Sequence, residues 1–584
     1  MWFRSKPPSP AQPKPAGGPA ASPSPLEMVL AYHAATKHYP HRYARALGYL
    51  DWDTQPDPFR RYLGAPLLPL DEVPPTPAPA YDDLFRPGAV PPQPLDRRFV
   101  SQLFYDSLAL SAWKEYRGSR WSLRVNPSSG NLHPTEGYLL SGPVPGLLER
   151  PALCHYAPSC HALEVRAELP EPLWNSLAAR LPPGALLVGL TSIYWRESWK
   201  YGERAFRYCM HDVGHAVAAV TIAAAALGWQ LALAEGLADR DLAVLLGVHG
   251  QSGEEAEHPD CLLVLYPPHG SLPAQKVIAG LRLERALVEA WAALPLAGRP
   301  NVLSPEHHPW PIVQAVGEAT ERSEPPPADY VSQPPAPPPP LAPPRPGPVS
   351  ARQIIRRRRS AVAMDGVTGL ERDAFYAMLA HVLPGQMPFT ALPWAPAVHL
   401  ALFVHRVRGL APGLYLLVRD PAQREELRSA LHPAFAWQRP EGCPEWLDLS
   451  LLAPGDVRLA AQGIACGQEI AGHGAFAVGM VAQFAERLQR HGAWFYRRLH
   501  WETGAIGQVL YLEAEAAGLR GTGIGCFFDD SMHALLGMAG YRTPGDPDLR
   551  YQTLYHFTVG GPVEDPRLRT LPPYPAEGVA SPQG

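Results

Sequence analysis

The chain has 584 residues, of which 71 are Pro and 46% are hydrophobic, and its formal charge is −4. The lack of a Gly at every third position excludes collagen, and 15 Trp, 23 Tyr and 16 Phe exclude a chain that is disordered throughout. The near balance of charge gives no support to a general nucleic-acid binder. Six Lys stand against 45 Arg and none follows Lys276, so an anion site in the second half must use Arg, His or backbone amides. Seven scattered Cys form no CxxC pair, which favours neither a zinc site nor a disulfide framework. No apolar stretch follows Met1 as it does in a signal peptide, so a cytoplasmic protein is expected.

In chain order, residues 1–25 hold eight Pro and read as a disordered tail. A first body spans 26–322. Within it, 74–94 reads as a Pro-rich surface loop, 137–141 and 186–192 as strands, and 205–228 and 275–295 as helices. The most apolar run, Val213 to Leu227, has 15 residues, too few to span a bilayer, and predicts a buried helix. Residues 323–350 form a linker. Of the 26 residues from 323 to 348, 13 are Pro, which predicts an extended polyproline II spacer, with a partner-binding motif as the alternative. At ~3.1 Å per residue the spacer reaches roughly 80 Å. The second body, 351–576, carries helical patterns at 371–382, 469–491 and 500–518 and strand-like runs at 398–404 and 414–418, before a tail at 577–584. Strands do not alternate regularly with helices, so the fold class is α+β.

The two bodies repeat each other in register. Asp212-Val-Gly214 opens one apolar helix and Glu502-Thr-Gly504 opens another, 290 residues later. The same offset relates Arg207 to Arg497, Asp239 to Asp529, and Leu245-Leu246-Gly247 to Leu535-Leu536-Gly537. One offset held over some forty residues points to a duplicated domain.

Four stretches can carry chemistry. Arg124-Val-Asn-Pro127-Ser128-Ser129-Gly130-Asn131 is a tight loop with exposed N–H and hydroxyl groups, suited to the polar edge of a planar heterocycle, although an ordinary turn has the same composition. Lys200-Tyr201 precedes the Asp212 helix and can act as a proton-transfer pair, or be a solvated charged turn. Arg356-Arg357-Arg358-Arg359-Ser360 can hold a phosphate, or be a solvated basic run. Gly521-Thr-Gly523-Ile524-Gly525 follows a helix rather than a strand, so it is no Rossmann fingerprint, but it suits a backbone passing beside a flat ligand. His211 and His215 share a helix face without an HExxH motif, and no metal site is assigned.

Together these stretches resemble the FMN-dependent nitroreductase superfamily, and within it the SagB-type dehydrogenases. The carrying residues are RVNPSSGNLHPTE (124–136), HYAPSCHALE (155–164), KYGERAFRYCMHDVGH (200–215), RRRRS (356–360), GTGIGCFFDD (521–530) and VGGPVEDPR (559–567). The resemblance implies antiparallel-based sheets flanked by helices and paired domains with FMN at their interface. It implies that Arg358, Arg359, Ser360 and Arg567 grip the phosphate, that Arg124 and Pro127–Asn131 contact the flavin, and that Gly523, Ile524 and Gly525 lie beside it. It puts Lys200 and Tyr201 in proton transfer while an azoline-type ring in a peptide or small molecule gives a hydride to flavin N5. An NAD(P)H-dependent nitro or quinone reductase and a non-catalytic flavin-fold protein are the alternatives.

The halves divide these duties. The first has the Pro-Ser-Ser loop but no Arg-Arg-Ser start; the second has Arg358–Ser360 and Arg567 but reads GQMPFTALPWAPAVHL (385–400) where the loop belongs. Val362 stands where the family has a second phosphate-side Arg. The expectation is an intramolecular pseudo-dimer with one complete FMN site, no nucleic-acid or membrane partner, and further oligomerisation left open.

Overall fold

The apolar runs of each half assemble into one antiparallel sheet. The computed structural model describes residues 23–268, 274–324, 326, 330, 340, 347–538 and 549–574. In the first half seven strands lie in the order Leu67–Pro69, Ala162–Glu168, Ala152–Ala157, Thr135–Ser141, Leu186–Ser192, His258–Tyr266 and Gln230–Leu233. In the second half six lie in the order Leu449–Pro454, Gly413–Leu417, Val398–Val404, Phe476–Gln483, Tyr551–Gly560 and Arg520–Ile524. The fold is α+β, as the element pattern predicts.

The pattern at 469–491 is a correction. It is not one helix but a central strand, Phe476–Gln483, between the short helices Ile470–His473 and Ala485–His491. Every residue of that strand is buried, so its sequence is continuously apolar and lacks the alternation that marks a half-exposed strand. The 275–295 pattern likewise divides, at Gly280, into Ala274–Ala279 and Arg285–Ala292.

Each half contributes a 22-residue helix to the centre: α1, Ala205–Ala226, and α2, Phe495–Ala516. The stretch Tyr194–Ala226 is apolar enough to cross a bilayer by length and composition, but its most apolar window is 94% buried inside the protein. The two helices cross at the repeated glycines. A Cβ on Gly214 would stand 2.3 Å from the carbonyl oxygen of Trp501, and one on Gly504 would stand 2.2 Å from that of His211. Only Gly lets the backbones pass this closely.

The other repeated residues meet across the same seam. Arg207 pairs with Asp529 of the opposite half at 2.8 Å, and Arg497 pairs with Asp239. Arg204 joins Asp529 at 3.1 Å. Burial opposes ionisation of Asp529, but Arg204 and Arg207 hold its carboxyl far below the usual carboxylate range.

The chain ends cross over as well. Helix Pro25–Ala35, begun by a Ser24–Glu27 capping box, sets His33 against Tyr496 and Gln552 of the second half. Strand Arg569–Leu571 pairs with Leu110–Tyr116 of the first. The division at 26–322 and 351–576 therefore describes the sequence, while in space the halves exchange their ends. The 74–94 stretch is no simple surface loop: Tyr81 donates its N–H to Val349, and the ring of Phe85 stacks on His381 at 3.7 Å. Most of the 323–350 linker and the tails at 1–22 and 577–584 lie outside the described residues. Tyr330, which is described, is buried against His491, Trp494 and Phe495.

Replacing Gly504 by Val is expected to lower the unfolding free energy by about 3 kcal/mol, read from the urea midpoint. Asp529→Asn, which leaves two buried guanidinium groups under-neutralised, is expected to cost about 3–5 kcal/mol. Unchanged midpoints in both variants would contradict a structure held at this crossing.

Candidate functional site

The Pro127–Asn131 loop is set by the strand before it and the helix behind it. Gly130, Asn131 and His133 adopt positive φ, which folds the loop back on itself. Asn131 donates from Nδ2 to the carbonyl of Ser122 at 2.8 Å, and Ser128 Oγ accepts from the His133 N–H at 2.8 Å. From α1, the Asp212 carboxylate accepts the Ser129 N–H and hydroxyl, each at 3.0 Å. A Cβ on Gly130 would lie 2.5 Å from the Tyr201 hydroxyl, so the glycine is the floor on which that phenol rests.

A cavity of about 840 Å³ opens between this loop and the second half. It is lined by Arg124, Pro127, Ser128, Ser129, Gly130, Asn131 and Tyr201 from one half, and by Arg358, Arg359, Ser360, Gly523, Ile524 and Gly525 from the other. Residues more than 220 positions apart in the chain thus share one wall system. The size falls within the range of small-molecule and cofactor sites.

Two expected residues stand elsewhere. Lys200 is not part of the lining; its ammonium lies 5.4 Å from the centre of the Tyr201 ring. Arg567 is exposed and forks onto Asp565, at 2.8 Å for the closer contact, so the acid two residues earlier holds it out in solvent. Arg358 does reach the cavity, but its guanidinium is committed to the carbonyls of Arg124 and Val125, at 3.0 and 3.1 Å. It ties the second half to the first half's loop. Ser360 shares a 2.8 Å hydrogen bond with the Tyr511 hydroxyl.

The GTGIG stretch, which follows a helix in the sequence, is itself the edge strand Arg520–Ile524. A Cβ on Gly523 would stand 1.9 Å from the Tyr555 hydroxyl, and one on Gly525 would stand 2.2 Å from the Tyr208 ring. These glycines make room for tyrosines of the cavity wall rather than directly for a ligand.

Two cations missed by sequence reasoning, Lys114 and Arg520, complete the wall with Arg357 and Arg359 of the basic run. Burial, then the neighbouring Arg358 and Arg520, lowers Arg359 to about 9. Burial and Arg359 also lower Lys114. Glu515 and Glu564 are the acids nearest Arg520, at 3.4 and 3.5 Å. The scarcity of Lys and the position of Arg520 next to Gly521 were available signals; Tyr511 and Tyr555 carried none. Three buried polar atoms of the lining residues have no partner: Arg124 Nε, Asn126 Oδ1 and His133 Nδ1.

The mirrored position, 290 residues along, is filled. Glu502, the counterpart of Asp212, accepts from the N–H groups of Ala397 and Val398 at 3.0 and 3.3 Å and is paired with Arg419. Glu235, the counterpart of Gly525, is held by Arg322, Arg498 and the Tyr330 hydroxyl. Among the described residues no group of three or more His, Cys, Asp or Glu is placed to hold a metal ion. His211 instead stacks on Tyr555, and His215 lies 3.2 Å from the Tyr555 hydroxyl.

No protein-family model and no curated protein matches the chain. Solved structures do. A protein of Anabaena variabilis assigned as a nitroreductase superposes with a TM-score of 0.63 at 21% identity, covering 92% of this chain and 99% of that one. A nitroreductase-assigned protein of Ralstonia eutropha covers 39% of this chain and 98% of its own, at 15% identity and a TM-score of 0.26. The E. coli microcin synthetase McbBCD complex, with truncated pro-MccB17 bound, covers 42% and 93%, at 16% identity and a TM-score of 0.25. The first likeness spans both halves and shows the fold: two nitroreductase-type domains in one chain.

Gly130→Ala is expected to destabilise the protein by about 1–2 kcal/mol, through the left-handed backbone and the collision with Tyr201. Amide exchange over 127–133 should accelerate while that of α1 stays slow; equal protection in both proteins would refute the packing role of Gly130.

Proposed function

We propose that the protein is an FMN-dependent oxidoreductase holding one flavin per chain in the cavity between its halves. One observation carries the reading: a crowded group of cations and a polar Ser-Ser-Gly-Asn loop, from different halves, line the same cavity.

The residues present fit that cofactor. Arg358 and Arg520 disfavour the charge of Arg359, Arg359 and Arg520 that of Lys114, and a phosphate relieves that repulsion while accepting charge-assisted hydrogen bonds. Ser360 and Thr522 add hydroxyl groups to the same wall. The unpartnered Arg124 Nε offers a donor, and Asn126 Oδ1 and the neutral His133 Nδ1 offer acceptors, to the polar edge of a flavin ring. When bound, FMN supplies the two-electron chemistry. The chain's own residues then orient, exclude water and manage protons. Burial and the nearby Glu197 keep the Tyr201 phenol far above its ordinary pKa, so it stays neutral and donates a hydrogen bond.

The finer reading is oxidation of an azoline-type ring in a modified peptide or a related small molecule. It is supported by the SagB-like stretches at 124–136 and 200–215. A second reading, an NAD(P)H-dependent nitro or quinone reductase, draws on the whole-chain likeness to the nitroreductase-assigned Anabaena protein.

Purified protein is expected to be yellow and to release close to one FMN per chain on denaturation; two per chain would contradict the filled mirror site, and none would sink the proposal. Arg359→Ala should weaken FMN binding by about 10- to 100-fold, the worth of a hydrogen bond between charged groups. Riboflavin, which lacks the phosphate, should bind both proteins alike. On mixing with NADH or NADPH, fast bleaching selects the reductase, and slow or no bleaching selects the azoline dehydrogenase.

A further inference from the structure

The duplication places an acid at one point on both central helices, and the two acids have different surroundings. Both accept backbone N–H groups from the segment leading into the first central strand of their own half. Glu502 has a full counter-ion in Arg419 and sits in a filled region. Asp212 has no ion-pair partner among the described residues. Its only hydrogen-bond donors are the Ser128–Ser129 turn, and it lines the open cavity.

A second carboxyl lies behind it. Glu197, on helix Tyr194–Tyr201, is fully buried, and neither of its carboxylate oxygens has a partner. Its charge and that of Asp212 disfavour each other, and Lys200 alone relieves Glu197. Glu197 and Lys200 are three residues apart on one helix, hence on one face, and Lys200 is half-exposed. Glu197 thus feels the charges of both Lys200, which is half-exposed, and Asp212, which lines the cavity. Two buried carboxyl groups whose charges disfavour each other resist being ionised together.

We propose that Asp212 is a catalytic proton acceptor of this cavity, with Glu197 and Lys200 as its route to solvent. The inference rests on the oxidoreductase reading above. An azoline ring becoming an azole loses two hydrogens. With FMN bound, one would leave with its electron pair to the oxidised flavin; the other would leave as a proton to an Asp212 carboxylate oxygen, its bonding pair becoming the new ring double bond. Lys200 then serves the solvent end of the route and does not itself meet the substrate.

Burial raises Asp212 to about 7, opposed by its bonds to Ser128 and Ser129. The titratable groups that feel its charge are Glu197 and Tyr201 on the neighbouring helix, Cys209 on its own helix, and Tyr555 from the opposite sheet. Because the folded value lies above the unfolded one, the stability this carboxyl contributes is present in acid and is lost as pH rises through about 7.

The test uses the full chain and Asp212→Asn, which keeps an oxygen for the Ser129 N–H. The infrared carbonyl band of a protonated buried acid, followed against pH, should show a component that titrates near 7 in the wild type and is missing from the variant. The variant's gain in melting temperature over wild type should be larger at pH 8 than at pH 5. With a thiazoline-containing model peptide, flavin bleaching in the variant should slow at least about 100-fold at unchanged flavin content. A yellow variant that oxidises the peptide at the wild-type rate, or a band unchanged by the substitution, overturns the inference and leaves the flavin reading standing. A colourless wild type overturns both. Should Asp212→Asn not fold, Ser129→Ala removes the hydroxyl bond that favours the carboxylate while keeping the backbone N–H bond, so the acid limb of the rate must move to higher pH; an unmoved limb overturns the proposal.

Discussion

The structure depends on one contact, the crossing of α1 and α2 at Gly214 and Gly504. Two backbones touch there because neither helix carries a Cβ at the crossing. The approach brings Arg207 to Asp529 and Arg497 to Asp239, so each half neutralises a charge buried in the other. Neither partner is affordable alone in a dry seam, since an unpaired buried ion costs several kcal/mol. The exchanged ends, helix Pro25–Ala35 and strand Arg569–Leu571, close the same seam from outside. The cavity is what remains between two halves locked in this way.

Fusion of the copies has a consequence that a symmetric dimer lacks. In an isologous pair of identical chains, a change on one side of the interface is made on both. Here the copies differ, and so do their seams. On one side Asp212, Tyr208 and Tyr555 border open space. On the other, Arg419 pairs with Glu502, and Arg322, Arg498 and Tyr330 hold Glu235. The filled side adds buried ion pairs and aromatic packing to the core, and the open side keeps unpartnered polar atoms at Arg124, Asn126 and His133. Satisfaction on one side and residual hydrogen-bonding capacity on the other are the physical difference between a scaffold and a site.

The wall of the open side is largely tyrosine resting on glycine. Tyr201 sits over Gly130, Tyr555 over Gly523 and Tyr208 over Gly525. Tyr511 bridges the Ser360 hydroxyl and the Gly523 N–H, at 2.8 and 2.9 Å. Each ring rests on backbone from another element, and all seven cysteines are free thiols. Placing the polar groups on such a support restricts how they can move when a ligand arrives.

Much of this was legible in the residues themselves. The common offset of 290 marks the two copies, and the apolar runs mark helices and strands, because duplication and periodicity are local properties of a chain. The division of motifs between halves also marks Pro127–Asn131 and Arg358–Ser360 as parts of one arrangement. The strand Phe476–Gln483 was hidden because burial on both faces erases alternation. Burial and direction of individual side chains were equally hidden. Arg567 turns to Asp565, Arg358 is spent on two carbonyls, Lys200 is outside the cavity lining, and among the described residues Asp212 lacks the cation that Glu502 has. The sequence by itself thus determined that there are two copies of one fold and which segments can form half-sites. Only the tertiary structure decided which charges face the cavity, because that depends on contacts between residues hundreds of positions apart and on which of them are shielded from water.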